Sequence, residues 1–193
     1  MGLFVENFRD YGPINRSRSR FIPKSDRLPG PETMYTDTLG KYLEETLHTK
    51  IPLTKQMDVR VAGYDGRTLI LKAPLDRNVN DKGTAFGGSL FSLAVLSGWG
   101  LLFLKLKEEN LSGEIVIHES SISYRLPVTG VLEARCSIPE GEEYADLIER
   151  LRAGGRGKIS LETDLMRESR VAVSFKGRYV VQILKGQVAS PIS

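Results

Sequence analysis

The sequence predicts an α+β fold in which an antiparallel sheet curls around one long helix. One observation is the stretch 83–104, which has no acidic or basic side chain and so predicts a helix that is apolar on nearly every face and buried. A second is the alternation of apolar and polar residues over 131–138 and 171–181, which is typical of half-buried strands. Similar alternation precedes the helix, so strands on both sides of it are expected to share its core.

The elements can be placed in chain order from their periodicity and their breakers. Leu39, Leu43 and Leu47 share one helical face, and Pro52 is expected to end that helix. Two short alternating runs joined by the turn YDGR at 64–67 predict a hairpin. The expected helices are 33–48, 84–106 and 142–151, and the expected strands are 57–61, 69–73, 115–126, 131–138, 158–166 and 171–181.

The long uncharged helix raises the question of a membrane span, because about 20 apolar residues can cross a bilayer. Its four glycines (87, 88, 98 and 100) and three serines (89, 92 and 97) argue against that interpretation, as do the strands on both sides. We therefore expect the helix to be buried in protein, and no membrane is expected as a partner.

At 193 residues the chain is most simply one domain with extensions. We expect a basic, proline-rich leader over 1–32, the α+β domain over 33–185 and a flexible tail over 186–193. The RSRSR run at 16–20 resembles a nucleic-acid arm, but no basic face with interleaved aromatic residues follows it, so no nucleic-acid partner is expected.

Cysteine and histidine usage bounds the chemistry. The single cysteine, Cys136, excludes an intrachain disulfide, and two histidines without a cysteine cluster argue against a metal site. No apolar segment of a secretory signal stands at the N-terminus. We therefore expect a cytoplasmic protein.

The candidate site lies at NVNDKGTAFGGSL, residues 78–90, where a glycine-rich turn leads into the long helix. The first N–H groups of a helix have no partner within it and point beyond the helix end. Such a turn binds a phosphate, a carboxylate or a polarised carbonyl oxygen. The stretch GGRGK at 154–158 is not a P-loop, because Arg152 and Ile159 stand where that motif requires Gly and Ser or Thr.

Three segments resemble those of hot-dog-fold acyl thioesterases: NDKGTAFGGSL at 80–90, ISYRLPVTGVLEARCSI at 122–138 and GRGKISLETDLMRESRVAVSFKGRYVV at 155–181. The likeness is greatest to the thioesterase domain in the C-terminal half of bacterial YiiD proteins, and it covers 34–184. The resemblance implies a hot-dog fold that hydrolyses thioesters of CoA or of an acyl-carrier protein. Exposed strand edges predict a homodimer or a dimer of dimers, because joining two sheets side by side removes one edge from each copy, and the resemblance adds that the acyl site lies at this interface. No cofactor is expected beyond the coenzyme A of the substrate.

The resemblance also assigns roles in the glycine turn. In this family a backbone N–H at the start of the central helix binds the thioester oxygen, and the matching residue here is Gly88, with Phe86 and Gly87 shaping the turn. The spacing Asn-x-x-Gly-x-x-x-Gly-Gly places Asn80 and Gly83 in the same motif. A carbonyl oxygen is therefore favoured over a phosphate as the group that this turn binds.

The chain departs from the His-Gly-Gly thioesterases at two positions. Phe86 stands where they carry His, and Val95 stands where they carry a carboxylate on the helix. Asp81 is the acid nearest the turn in sequence, so we expect it to activate a water that Asn80 positions. The alternative for Asp81 is an exposed turn residue or a helix cap. A dehydratase or hydratase on the same fold would need an active-site His with an acid near the helix, and NDKGTAFGG at 80–88 contains no His.

Four further residues have a functional and a structural interpretation. Ser89 and Ser92, one helical turn apart, are placed to assist the reaction, or they are small packing residues. Arg156 and Lys158 are expected to contact the phosphates of CoA, or they form a solvated strand edge. His118, in a long strand, is expected to be structural.

Three functions remain open from the sequence. An acyl thioesterase is favoured by the glycine turn and the resemblance. A non-catalytic module that binds acyl-CoA or acyl-carrier protein is favoured by the missing helix carboxylate and by an apolar helix suited to line an acyl tunnel. A scaffold or interaction domain is supported only by the basic leader. Retained acyl-CoA binding without hydrolysis would separate the second from the first.

Overall fold

The computed structural model describes residues 31–184, and the side chains from residue 37. The predicted leader, apart from residues 31 and 32, and the predicted tail lie outside the described residues. The elements are α1 (Pro31–Lys50), α2 (Pro52–Gln56), β1 (Arg60–Tyr64), β2 (Thr68–Ala73), α3 (Gly87–Glu108), β3 (Gly113–Tyr124), β4 (Leu132–Ser137), α4 (Glu143–Arg152), β5 (Arg156–Arg167) and β6 (Arg170–Ile183).

The strands form one antiparallel sheet in the order β1-β2-β4-β5-β6-β3. Strands β2 to β6 all contact α3, which packs along the inner face of the sheet. Along β5 the residues alternate so that Ile159, Leu161 and Leu165 are buried on the inner face. The predicted hot-dog fold is therefore confirmed: an antiparallel sheet wraps one long central helix.

Helix α3 is held against the sheet through its backbone as well as its side chains. Tyr179 on β6 is fully buried, and its hydroxyl donates a hydrogen bond of 2.9 Å to the carbonyl oxygen of Val95. Thr163 on β5 donates similarly to Ala94, at 3.4 Å. By length and composition α3 could cross a membrane, but 61% of its most apolar window is buried in the protein, and a core helix meets the same criterion.

The structure corrects the expected start of the long helix. It begins at Gly87 and not at residue 84. Thr84 and Ala85 belong to the preceding loop, because the Thr84 carbonyl accepts the N–H of Asn80 and the Ala85 N–H donates to the carbonyl of Val128. The loop folds back on itself until Phe86, whose extended backbone (φ −66°, ψ 132°) leads into the helix.

The first strand was also placed wrongly, at 57–61. Pro52 does not only end α1; it begins the short helix α2, where its fixed φ suits the first turn. The chain then turns at Asp58, which has a φ of 54°, and β1 starts at Arg60. Met57 is buried although it lies outside the strand, so an apolar residue at the expected spacing misled the prediction.

Strand β3 forms one edge of the sheet and leaves apolar side chains uncovered. Val116 is 54% exposed and Ile117 is 37% exposed. A bulge follows, because Ile117 pairs with Tyr179 and Glu119 with Arg178, which leaves His118 without a cross-strand partner. The side chain of His118 is half exposed and lies 3.7 Å from Glu119, and the expected structural role of this histidine stays a prediction.

Candidate functional site

The loop before α3 is built around two asparagines. Asn78 is buried, and its side-chain amide nitrogen donates to the carbonyl oxygens of Met57 (2.9 Å) and Pro74 (2.8 Å). Its backbone carbonyl accepts the N–H of Phe86 at 2.7 Å. These bonds tie the residue before the helix to the body of the protein. Asn78 could not be singled out from the sequence, because nothing in its local pattern distinguishes it from an exposed turn asparagine.

Asn80 closes the tip of the same loop. Its side-chain oxygen accepts the N–H groups of Lys82 (2.9 Å) and Thr84 (3.1 Å), and its amide nitrogen donates to the Thr84 hydroxyl (2.9 Å) and the Ala85 carbonyl (3.3 Å). Gly83 has a φ of 74°, a left-handed conformation that favours glycine. The Asn80–Gly83 spacing therefore builds the turn, and the proposed role of Asn80 in positioning a water stays a prediction.

The first turn of α3 offers free N–H donors. Within residues 31–184, no acceptor lies on the backbone N–H of Gly87, Gly88 or Ser89, and no side chain caps the helix. The first backbone bond of the helix runs from Leu90 to the carbonyl of Phe86. These three groups also carry the positive end of the helix dipole. The helix terminus can therefore bind an oxygen with partial negative charge.

Phe86 packs over the second residue of the helix. A β-carbon added at Gly88 would stand 2.3 Å from the nearest ring carbon of Phe86, so the ring covers the position where any other residue would carry its side chain. The ring itself is 56% exposed. Phe86 thus gives the donor at Gly88 an apolar neighbour, in the position where related thioesterases are expected to carry His.

Tyr124, the last residue of β3, contacts the same turn although it lies far from it in sequence. Its hydroxyl donates a hydrogen bond of 3.0 Å to the carbonyl oxygen of Gly87, and its ring lies 3.7 Å from where a Gly87 β-carbon would be. The side chain is 51% exposed. Partial burial raises the pKa of the Tyr124 hydroxyl above its ordinary value, so it stays protonated at neutral pH. Tyr124 is not recognisable as a site residue from the sequence, because 37 positions separate it from Gly87.

The predicted acid lies in the loop before the helix. Asp81 is exposed, and its carboxylate has no hydrogen bond or ion pair within residues 31–184. Its side chain is therefore free to reach a bound water, and its role as general base stays a prediction. Val95, where a helix carboxylate is expected in related enzymes, is half-buried and apolar.

One face of α3 is left partly uncovered by the sheet. It starts at the helix terminus and consists of Gly88, Ser92, Val95, Trp99 and Phe103, which we call the uncovered strip. The rings of Trp99 and Phe103 stack with centroids 5.2 Å apart, and the indole N–H of Trp99 donates to the carbonyl of Ile115 at 3.2 Å. Ser89 and Ser92 are half-buried, and within the described part of the chain their hydroxyls make no hydrogen bond.

Arg156 and Lys158 line one cleft at the start of β5. This is the end of the sheet away from Tyr124, since Arg156 pairs with Gln182 whereas Tyr124 pairs with Val173. The cleft, of about 530 Å³, lies between α4 and β5. Two further cations, Arg150 and Arg178, and two acids, Glu143 and Asp146, also line it. Helix α4 approaches β5 closely here, since a β-carbon at Gly157 would stand 2.3 Å from a methyl group of Leu147. The glycine in GRGK thus serves packing, while the basic side chains on either side of it stay exposed.

The fold and the open helix terminus define a hot-dog protein of the thioesterase type. The chain belongs to the family described as "Putative thioesterase (yiiD_Cterm)", whose model matches residues 40–183. The resemblance noted in the three sequence segments is thereby confirmed.

Solved structures agree with this assignment. A protein of unknown function from Chlorobaculum tepidum is 36% identical, with a TM-score of 0.72 over 76% of this chain and 96% of that one. A protein from Shewanella oneidensis described as a putative thioesterase is 30% identical, with a TM-score of 0.71 over 77% of this chain and 99% of that one. A probable thioesterase from Pseudomonas aeruginosa, 20% identical with a TM-score of 0.65 over 75% and 95%, shares the fold.

Proposed function

We infer that the protein hydrolyses acyl thioesters, with the N–H of Gly88 binding the thioester oxygen. The observation that supports this most is the free first turn of α3, beside an apolar ring and at the start of the uncovered strip. When water attacks the thioester carbon, negative charge develops on that oxygen. A preorganised donor there stabilises the transition state and is worth about a hundredfold or more in rate.

The acyl chain is proposed to lie along the uncovered strip. From Gly88 to Trp99 the helix advances about 16 Å at 1.5 Å per residue. The strip is apolar apart from Ser92, and the stacked rings of Trp99 and Phe103 stand at its far end. An extended medium-length acyl group fits this distance. The strip is open in the single chain, so a second surface must cover it when the acyl group binds.

We expect a second copy of the chain to supply that surface. Strand β3 is an edge strand of 12 residues on which two apolar side chains, Val116 and Ile117, are exposed. Long exposed edges are prone to pair with another chain, and pairing two β3 strands would join two sheets into one. The resulting homodimer would place the two α3 helices on one face of a continuous sheet.

The carrier of the acyl group is proposed to be coenzyme A, with an acyl-carrier protein as the alternative. Both end in a phosphopantetheine arm, but CoA adds a nucleotide with several phosphates. The cluster of Arg150, Arg156, Lys158 and Arg178 offers charge-assisted hydrogen bonds to such phosphates. One of the four, Arg178, is already paired with Glu119 at 3.0 Å.

A non-catalytic acyl-binding module is the second candidate. Two observations favour it: Val95 replaces the expected helix carboxylate, and Asn80 uses its whole amide group within the loop. The test is a hydrolysis screen against CoA thioesters of graded chain length, with binding measured in parallel. Turnover that peaks at a medium chain length supports the thioesterase. Tight binding of the same thioesters without turnover would support the binding module instead.

A further inference from the structure

The peptide unit between Gly87 and Gly88 is hydrogen-bonded to a side chain at its carbonyl end and free at its N–H end. Its carbonyl, that of Gly87, accepts the hydroxyl hydrogen of Tyr124 at 3.0 Å. Its N–H, that of Gly88, is the free donor of the first helical turn. Because a peptide unit is planar, fixing its carbonyl also fixes the direction of its N–H.

We propose that Tyr124 is a positioning residue that orients and polarises the Gly88 N–H toward the thioester oxygen. This inference rests on the proposed function of that N–H. A hydrogen bond to the carbonyl end of a peptide unit withdraws electron density from its nitrogen, so the N–H becomes a stronger donor; chains of hydrogen bonds strengthen one another in this way. Tyr124 acts only through the Gly87 carbonyl and makes no contact with the reacting atoms itself.

Two features of the surroundings suit this role. Tyr124 and Phe86 contact adjacent glycines of the turn, Tyr124 at Gly87 and Phe86 at Gly88, so aromatic side chains flank the same peptide unit. Partial exclusion of water by the two rings strengthens the hydrogen bond from Tyr124 to the Gly87 carbonyl. Tyr124 also lies on β3, the strand proposed to form the dimer interface, so the site would be organised by the same strand that joins the two copies.

The alternative is that the hydroxyl of Tyr124 merely anchors the helix to the sheet. The chain contains a matched case of that kind. Tyr179 also donates its hydroxyl to a carbonyl of α3, that of Val95 at 2.9 Å, but it does so two turns into the helix and fully buried. Replacing either tyrosine by phenylalanine removes one hydroxyl and one hydrogen bond to the same helix. Only the Tyr124 hydroxyl polarises a peptide unit whose N–H is free.

The experiment uses a ketone analogue of acyl-CoA, in which a methylene group replaces the thioester sulfur and the carbonyl carbon is ¹³C-labelled. The analogue keeps the oxygen but cannot be hydrolysed. Infrared difference spectroscopy of the bound ketone reports how strongly the site polarises its carbonyl. We expect the carbonyl stretching frequency of the ketone to be lower when it is bound to the parent protein than when it is free in water. Bound to Tyr124→Phe, the ketone should show a smaller decrease. Tyr179→Phe should leave the frequency as in the parent while lowering the melting temperature.

Kinetics supply the second measurement. With a hydrolysed acyl-CoA, Tyr124→Phe should lower kcat about 3- to 10-fold, the value of one ordinary hydrogen bond, with KM changed less than kcat. A carbonyl frequency identical in the parent and in Tyr124→Phe overturns the inference. Failure of the ketone band to shift at all in the parent overturns the role of Gly88 as well. If the parent binds and polarises the ketone but hydrolyses no thioester, the hydrolase proposal fails while the positioning role of Tyr124 stands.

Discussion

The hydroxyl oxygen of Tyr179 packs closely against Gly98: a β-carbon added at Gly98 would lie 2.3 Å from it. Tyr179 is fully buried and bonded to Val95, so its ring has no free direction in which to move. We expect Gly98→Ala to lower the free energy of unfolding by about 2 kcal/mol, the usual cost of overpacking a core. Thermal unfolding would show it as a fall of about 4–8 °C in the melting temperature.

A matched control for this change is Gly130→Ala. Nothing lies within 4 Å of the β-carbon position at Gly130, and its φ is not positive. Its melting temperature should stay close to that of the parent. Equal melting temperatures for the two variants would mean that Tyr179 does not fill the position facing Gly98.

The free edge of β3 predicts the oligomeric state. A charged side chain on an edge strand blocks pairing with another chain, so Ile117→Lys should convert the dimer to a monomer in sedimentation velocity. Val131→Lys, at an exposed apolar residue just before β4, is the control and should remain dimeric. A parent protein that sediments as a folded monomer would contradict the proposed dimer directly.

The basic cleft predicts how the carrier is recognised. The double change Arg156→Ala with Lys158→Ala should raise KM for an acyl-CoA at least about 10-fold, because charge-assisted contacts to phosphate are lost. KM for the same acyl group on pantetheine, which lacks the nucleotide, should not change. Lys176→Ala removes a cation on a neighbouring strand that is paired with Glu162, and it serves as the control. A rise in KM for both substrates would assign Arg156 and Lys158 to folding or to the acyl site.

Asp81 is predicted to be the general base. Asp81→Asn should lower kcat about 100-fold or more while KM changes little, since a water loses the group that accepts its proton. Asp76→Asn, at an exposed acid in the same loop, is the matched control. Unchanged turnover in Asp81→Asn would mean that another group is the general base, for instance Glu119 of the partner subunit.

The periodicity of apolar residues in the sequence was sufficient to predict the long strands and the existence of α3. Strand β5 alternates because one face packs on the helix, and that alternation depends only on neighbouring residues. The start of α3 could not be placed so well. Thr84 and Ala85 continue the helical composition, and only their hydrogen bonds to Asn80 and Val128 keep them in the loop.

The candidate site divides in the same way. Gly88 could be recognised from the glycine spacing and the resemblance, because the turn is local in sequence. Tyr124 could not, because its contact with Gly87 depends on β3 lying beside the helix terminus, and no local pattern encodes that. The basic cluster lies between these cases: Arg156 and Lys158 were found from sequence, whereas Arg150 and Arg178 join them only in the folded chain.

The central claim is that the backbone N–H of Gly88 binds the thioester oxygen, and proline at that position tests it most directly. Proline removes the N–H and is tolerated in the first turn of a helix, where that N–H has no helical partner. Gly88→Ala is the matched control, because it places a β-carbon against the Phe86 ring in the same way but keeps the N–H. Both variants should fold, since the exposed ring can move aside.

The measurement is kcat/KM for a medium-chain acyl-CoA on the two variants, with the melting temperature recorded on the same preparations. The account predicts that Gly88→Pro loses about 100-fold or more relative to Gly88→Ala, as expected when one oxyanion donor is removed. A folded Gly88→Pro protein that hydrolyses the thioester as fast as Gly88→Ala would contradict the account.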